Sequence, residues 1–162
     1  MQYDYIPRIA DINDKIARKS LFLFGPRQTG KSAYIKNQLL EPKLSWTLLD
    51  NELYRELAKK PSLLRNTLKA KGITKGVVVI DEIQKLPSLL DEVHMLIEET
   101  DIHFLLTGSS ARKLRNKGVN LLGGRAGRMN FHPLVYPEIK DTNYTLEEIF
   151  KSDSYLKERR KY

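Results

Sequence analysis

Apolar residues in this chain fall into short continuous runs, separated by longer polar stretches in which leucine and isoleucine recur at helical spacing. Leu21-Phe22-Leu23-Phe24, Val77-Val78-Val79-Ile80 and segment 103–107 read as strands buried on both faces, since a strand with one wet face would alternate. Weaker signals at 46–49, closing at Asp50, and at 129–132 predict two more strands. Ile6, Ile9, Ile12 and Ile16 predict a lead-in helix within 3–19, and a second helix spans 31–40 until Pro42 stops it. Leu53, Leu57, Leu63, Leu64 and Leu68, interrupted at Pro61, predict two short helices. Leu89, Leu90, Val93, Leu96 and Ile97 form one apolar stripe, which is core packing. That helix opens at Pro87-Ser88, with Ser88 and Asp91 in capping-box spacing. A basic helix is expected over 111–117 and the start of another over 146–150. Strands alternating with helices predict an α/β fold in three layers, with helices on both faces of a mainly parallel five-stranded sheet.

The length of 162 residues suits one such domain. We divide it into a lead-in segment, 1–19, a core, 20–137, and a C-terminal extension, 138–162. Absence of cysteine excludes disulfides and thiolate metal sites. No apolar run reaches membrane-spanning length, and MQYDYIPRIADIND has neither a basic n-region nor an apolar h-region, so a cytoplasmic protein without membrane contact is expected. Twenty-eight Lys and Arg against 20 Asp and Glu give a net charge of +8. This charge is spread along the chain, which leaves nucleic-acid contact as a weakly supported expectation. The KERRK run at 157–161 reads as a solvated end.

The segment GPRQTGKS at 25–32 fits GxxxxGK[ST] and sits directly between the first strand and a helix. That context makes it a phosphate-binding loop: Gly25, Pro26, Arg27, Gln28, Thr29, Gly30, Lys31, Ser32 and Ala33 would surround the phosphates. Gly25 and Gly30 are expected to adopt positive φ, so that backbone N–H groups converge on an anion. Lys31 reaches the β and γ phosphates, the Ser32 hydroxyl can hold Mg²⁺, and the helix dipole adds positive potential.

Asp81 and Glu82 follow the most apolar strand, at the end where open α/β sheets place ligands. Asp81 is expected to hold Mg²⁺ and Glu82 to activate the water that attacks the γ-phosphate, because a metal-bound carboxylate is a poor base. An isolated DE pair leaving a strand would be an ordinary charged turn; its place after a phosphate loop gives it meaning. Thr107, Ser109 and Ser110 end the fourth strand in a hydroxyl cluster, with Thr107 the candidate that senses the γ-phosphate and Ser109 or Ser110 the alternative helix cap. Ser110-Ala111-Arg112-Lys113 matches SxxK, but the companion motifs of that chemistry are missing. Arg125 and Arg128 in GGRAGR are either solvated surface residues or a finger stabilising the transition state, Arg125 the stronger candidate. His94, His103 and His132 show no metal-ligand spacing.

Taken in order, GPRQTGKS, VVIDEIQKLPSLL, FLLTGSSARKL, GGRAGR and HPLVYPE make the chain resemble the AAA+ ATPases of bacteria and archaea that join a P-loop core to a C-terminal domain of uncharacterised function. The resemblance spans about 25–137 and implies an ATPase core with sheet order 5-1-4-3-2. It also implies phosphate and Mg²⁺ roles for Lys31 and Ser32, Walker B roles for Asp81 and Glu82, and a sensor at Thr107 or Ser109. The chain departs from the pattern at Ala33, which cannot hydrogen-bond an α-phosphate where such proteins usually carry a second threonine. The resemblance implies a lid and a further domain beyond the core, so a chain closing at Tyr162 reads as either a natural truncation or a fragment. Two functions follow: an ATP-binding, Mg²⁺-dependent hydrolase that self-associates through Arg125 or Arg128, and a nucleotide-binding switch or remnant without useful turnover.

Overall fold

The computed structural model describes residues 5–109, 114 and 122–139. Five strands, β1 (Ser20–Phe24), β2 (Leu44–Thr47), β3 (Lys75–Asp81), β4 (Asp101–Gly108) and β5 (Ala126–Asn130), form one sheet in the order β2-β3-β4-β1-β5. All four pairings are parallel. This is the expected 5-1-4-3-2 order, read from its other edge. The three continuous apolar runs occupy the three inner strands, where neither face meets water.

Successive side chains along each inner strand enter opposite cores. Phe22, Phe24, Val78, Ile80, Phe104 and Leu106 face one layer of helices, α3 (Asn51–Lys59), α4 (Leu63–Ala70) and α5 (Leu89–Glu99), meeting Leu57, Leu64, Leu68, Leu89, Val93 and Leu96. Leu21, Leu23, Val79, Leu105 and Met129 face the other, where Ile12 and Ile16 of α1 (Asn13–Arg18) and Tyr34 of α2 (Lys31–Gln38) close the core. Burying each such side chain stabilises the fold by about 1.5–3 kcal/mol before the entropy of ordering it is counted.

Several expectations change. The lead-in helix is only Asn13–Arg18, and residues 5–12 are not helical. Ile9 is 67% exposed, so its place in the isoleucine series was coincidental. Two contacts tie this segment to the rest of the fold: the Arg8 N–H donates to Gln38 Oε1 (2.7 Å) and the Ile9 N–H to Glu138 Oε1 (3.0 Å). Helix α1 then starts where Asp11 Oδ1 accepts the N–H groups of Asn13 and Asp14. Strand β2 begins two residues earlier than predicted and ends at Thr47; the Leu48 N–H makes a last bond to the Asp81 carbonyl before Asp50 caps α3 through Oδ1. Strand β5 begins three residues earlier, inside GGRAGR, and therefore contains Arg128.

The capping box at Ser88 does not form. Ser88 already has helical dihedrals and its side chain makes no cap bond; backbone bonds from Leu89 to Leu86 and from Leu90 to Pro87 start the helix instead. A last helical turn, Tyr136–Ile139, follows β5. Of the helix expected at 111–117 only Leu114, helical and buried, is among the described residues; the helix expected at 146–150, Ser110, Lys113 and the 157–161 run lie outside them.

Candidate functional site

The loop 25–30 leaves the C-terminal end of β1 with the Gly25 N–H donating to the Gly108 carbonyl of β4 (3.2 Å). Gly25 does not have positive φ, contrary to expectation. Its requirement is space: a Cβ there would run into the Phe131 carbonyl oxygen. The left-handed positions are Gln28 (φ 61°) and Gly30 (φ 86°), and Gly30 is the residue from which α2 begins. At a non-glycine residue such as Gln28 this conformation is uncommon and tends to mark a functional turn.

Lys31 is 7% exposed and folds back over the loop, donating from Nζ to the carbonyls of Gly25 and Pro26, each at 2.7 Å. The Thr29 hydroxyl donates to that same Pro26 carbonyl (2.9 Å). Burial draws the Lys31 pKa below the ordinary lysine value, opposed by the negative charges of Glu82 and Asp81. Ser32 and Ala33 are exposed on the first turn of α2.

Asp81 closes β3 and Glu82 follows it in a left-handed conformation (φ 60°, ψ 40°). This turn is over-determined by its neighbours. The Glu82 N–H donates to Thr107 Oγ1 (3.2 Å), and the Thr107 hydroxyl donates in turn to Asp81 Oδ1. Thr47, at the end of β2, donates to Asp81 Oδ2 (3.3 Å). Thr107 is fully buried, and its one O–H is directed at Asp81. Half-buried Ser109 lies one residue beyond the end of β4.

Arg27, Gln28, Gly30, Lys31, Ser32, Ala33, Asp81 and Glu82, with Leu49, line one cavity of about 480 Å³. That volume lies in the range of small-molecule sites, roughly 300–1,000 Å³. Gly25, Pro26 and Thr29 shape the loop behind it. Arg125 stands apart: it immediately precedes β5, whose first residue, Ala126, pairs with Ser20 at the start of β1. At roughly 3.3 Å per residue, the length of β1 sets it about 16 Å from the loop. There it ion-pairs with Glu98 of α5. Arg128 lies on the edge strand with its guanidinium 5.5 Å from the Phe24 ring centroid. Neither arginine joins the cavity of its own chain. Of the histidines, His103 Nδ1 contacts the Ile16 carbonyl (2.6 Å) and His94 stands 4.0 Å from Glu98; no cluster with metal-ligand character occurs among the described residues.

Several participants had no sequence signal of their own. Leu49 is an exposed leucine that ends up as cavity wall, and Thr47 is one of many polar edge residues. Arg8 and Glu138, 130 positions apart, form a buried ion pair (Nε to Oε2 3.0 Å). Arg8 also donates to the carbonyls of Thr29 in the loop (3.2 Å), His132 (2.6 Å) and Pro133 (3.1 Å), and lies 4.2 Å from the Phe131 ring centroid. Burial alone would raise the Glu138 pKa, but the N–H groups of Val135 and Ile9 and the Arg8 guanidinium bring it below the usual carboxylate value.

A sequence model described as "AAA domain" matches residues 17–140. No curated protein matches the chain. Among solved structures, the fold is similar to chains in the Drosophila ORC bound to AT-rich DNA and Cdc6, at 11% identity and a TM-score of 0.45, and in the Drosophila ORC bound to GC-rich DNA and Cdc6, at 9% and 0.45. These alignments cover 85% and 86% of this chain but 58% and 59% of those chains, so this chain spans less than two thirds of their length. With the parallel β2-β3-β4-β1-β5 sheet and a glycine loop behind β1, the match over 17–140 shows that the chain belongs to the AAA domain family and has its nucleotide-binding AAA+ fold.

Proposed function

We propose that this cavity binds ATP with Mg²⁺ and hydrolyses it to ADP and phosphate. The observation that carries the reading is that Lys31, Asp81 and Glu82, distant in sequence, line the same 480 Å³ space. The donor set fits the metal: a hydroxyl at Ser32 and a carboxylate at Asp81 are hard oxygen ligands, and Asp81 is held by two threonine hydroxyls. Mg²⁺, when bound, would neutralise charge on the phosphate oxygens.

The chain's own residues do the rest. The bare Gly25 leaves room for a close backbone turn, and loop N–H groups with the start of α2 supply positive potential. Lys31 exchanges its two carbonyl acceptors for phosphate oxygens, a swap favoured by the ligand's negative charge. Glu82, fixed at its backbone by Thr107, accepts a proton from a water that attacks the γ-phosphorus. We assign Thr107 as a positioning residue and Ser109 as the hydroxyl that meets the terminal phosphate.

One observation favours a slower, switch-like version. Arg125 and Arg128 stand outside their own chain's cavity, so a finger from either would act on a second copy, making self-association a condition of fast turnover. The net charge of +8 supports nucleic-acid contact as a secondary role, which would show steep salt dependence. We place the protein in the cytoplasm; among the described residues no helix is long and apolar enough to cross a membrane.

The test is phosphate release and Mg-ATP binding measured together. Glu82→Gln is expected to retain binding and slow release by about 10²–10⁴-fold, and unchanged release would remove the hydrolytic reading.

A further inference from the structure

Gln84 sits in the short 3-10 turn Ile83–Lys85 behind the two acids. It is only 9% exposed, although a glutamine leaving a strand toward a turn would ordinarily be solvated. Its Nε2 donates to Glu82 Oε2 and lies 3.5 Å from Ser109 Oγ. Its Oε1 is buried without a hydrogen-bond partner, pressed against Gly108 so closely that a Cβ there would collide with it. An orphaned buried acceptor is unfavourable, so this orientation persists because the other end of the amide is held. Thr107 fixes Glu82 through its backbone; the carboxylate is held by Gln84.

We propose that Gln84 is a positioning residue: its carboxamide aims the Glu82 carboxylate at the attacking water and links it to Ser109, and the missing side chain at Gly108 makes the room. This rests on the reading of Glu82 as the base. A carboxylate on a left-handed residue outside the sheet would otherwise sample several rotamers, few of them productive.

The test has two arms on the 162-residue chain. In the first, the side-chain amide signals of Gln84 are identified by NMR through their loss in Gln84→Met, and solvent exchange of these protons is followed. Exchange at least about tenfold faster in Glu82→Ala than in wild type is expected, whereas protection by burial alone would not change. In the second, Gln84→Met, which keeps length and apolar bulk but has no donor, is expected to lower kcat about a hundredfold with the KM for Mg-ATP within about twofold. Gly108→Ala, which displaces the carboxamide without altering it chemically, should reproduce that split. Adding Gln84→Met to Glu82→Gln should cause no further loss.

Unaltered exchange in Glu82→Ala, wild-type kcat in Gln84→Met, or an equal loss in the Glu82→Gln background would each overturn the proposal. Wild-type turnover in Glu82→Gln alone would instead show that the base assignment fails, and the proposal would fall with it. In a chain that binds ATP without turnover, the exchange arm decides whether Gln84 holds Glu82.

Discussion

At the C-terminal end of the sheet, Lys31, Asp81 and Glu82 converge on one cavity and are held by buried partners, whereas at the opposite end Arg125 meets Glu98 in an exposed ion pair. Both ends carry residues that motif reading marks as functional. Their surroundings differ: Thr107 and Gln84, both buried, fix the acids, but the Arg125 and Glu98 side chains are 41% and 52% exposed. Buried, over-determined polar groups indicate a pre-organised site, and exposed ion pairs contribute little to stability. Being in a parallel sheet is what separates the two ends, since every strand delivers its C-terminus to the same side.

Substitutions can break or sharpen that contrast, and the largest effect is expected at Glu82. Glu82→Gln should slow phosphate release by about 10²–10⁴-fold while an equilibrium titration shows Mg-ATP binding intact.

The Arg8–Glu138 pair underlies the same end of the sheet through the Thr29 carbonyl. Glu138→Gln should lower unfolding free energy by about 3 kcal/mol in a denaturant titration, because a buried guanidinium loses its counter-charge. It should also change the pH dependence. The folded-state pKa of Glu138 is lowered, so its contribution is complete above the ordinary carboxylate value of 4.5 and is lost as pH falls from there through the lowered value. Wild type should therefore lose more stability than Glu138→Gln in that acid window, as thermal melts across the pH series would show.

Thr107→Val leaves Asp81 Oδ1 without its donor and the Glu82 N–H without its acceptor. A loss of about 1–3 kcal/mol is expected, with Thr107→Ser near wild type, both read from chemical denaturation. Smallest of all, Arg125→Ala should shift stability by less than about 1 kcal/mol and leave ATP affinity of the single chain unchanged. A large loss of affinity on binding by the monomer would erase the distinction between the two ends.

Much of this was legible in the sequence where the determining physics is local. Leu21-Phe22-Leu23-Phe24 and Val77-Val78-Val79-Ile80 had to be inner strands, because runs of that kind find no stable place with one face in water. The edge strands were blurred for the opposite reason: in β2, Ser45 and Thr47 are exposed, and Ala126-Gly127-Arg128 gives β5 hardly any apolar signal. That the GPRQTGKS segment and the Asp81-Glu82 pair meet at one end of the sheet could be expected, because each directly follows an inner strand of a parallel sheet. The glycine argument reached the right residue at Gly25 for the wrong reason, since the constraint is the Phe131 carbonyl from a strand end over a hundred positions away. Likewise Arg8 with Glu138, and Gln84 with Gly108, depend on tertiary contact that no local pattern encodes.

Lys31 is the most direct test of the claim that the C-terminal end of the sheet is the nucleotide site. Calorimetric titration of Mg-ATP into wild type should give saturable binding, and Lys31→Ala should weaken it by at least about tenfold, the equivalent of losing one charge-assisted hydrogen bond of about 1.5–3 kcal/mol. Equal affinity in the two proteins would contradict it.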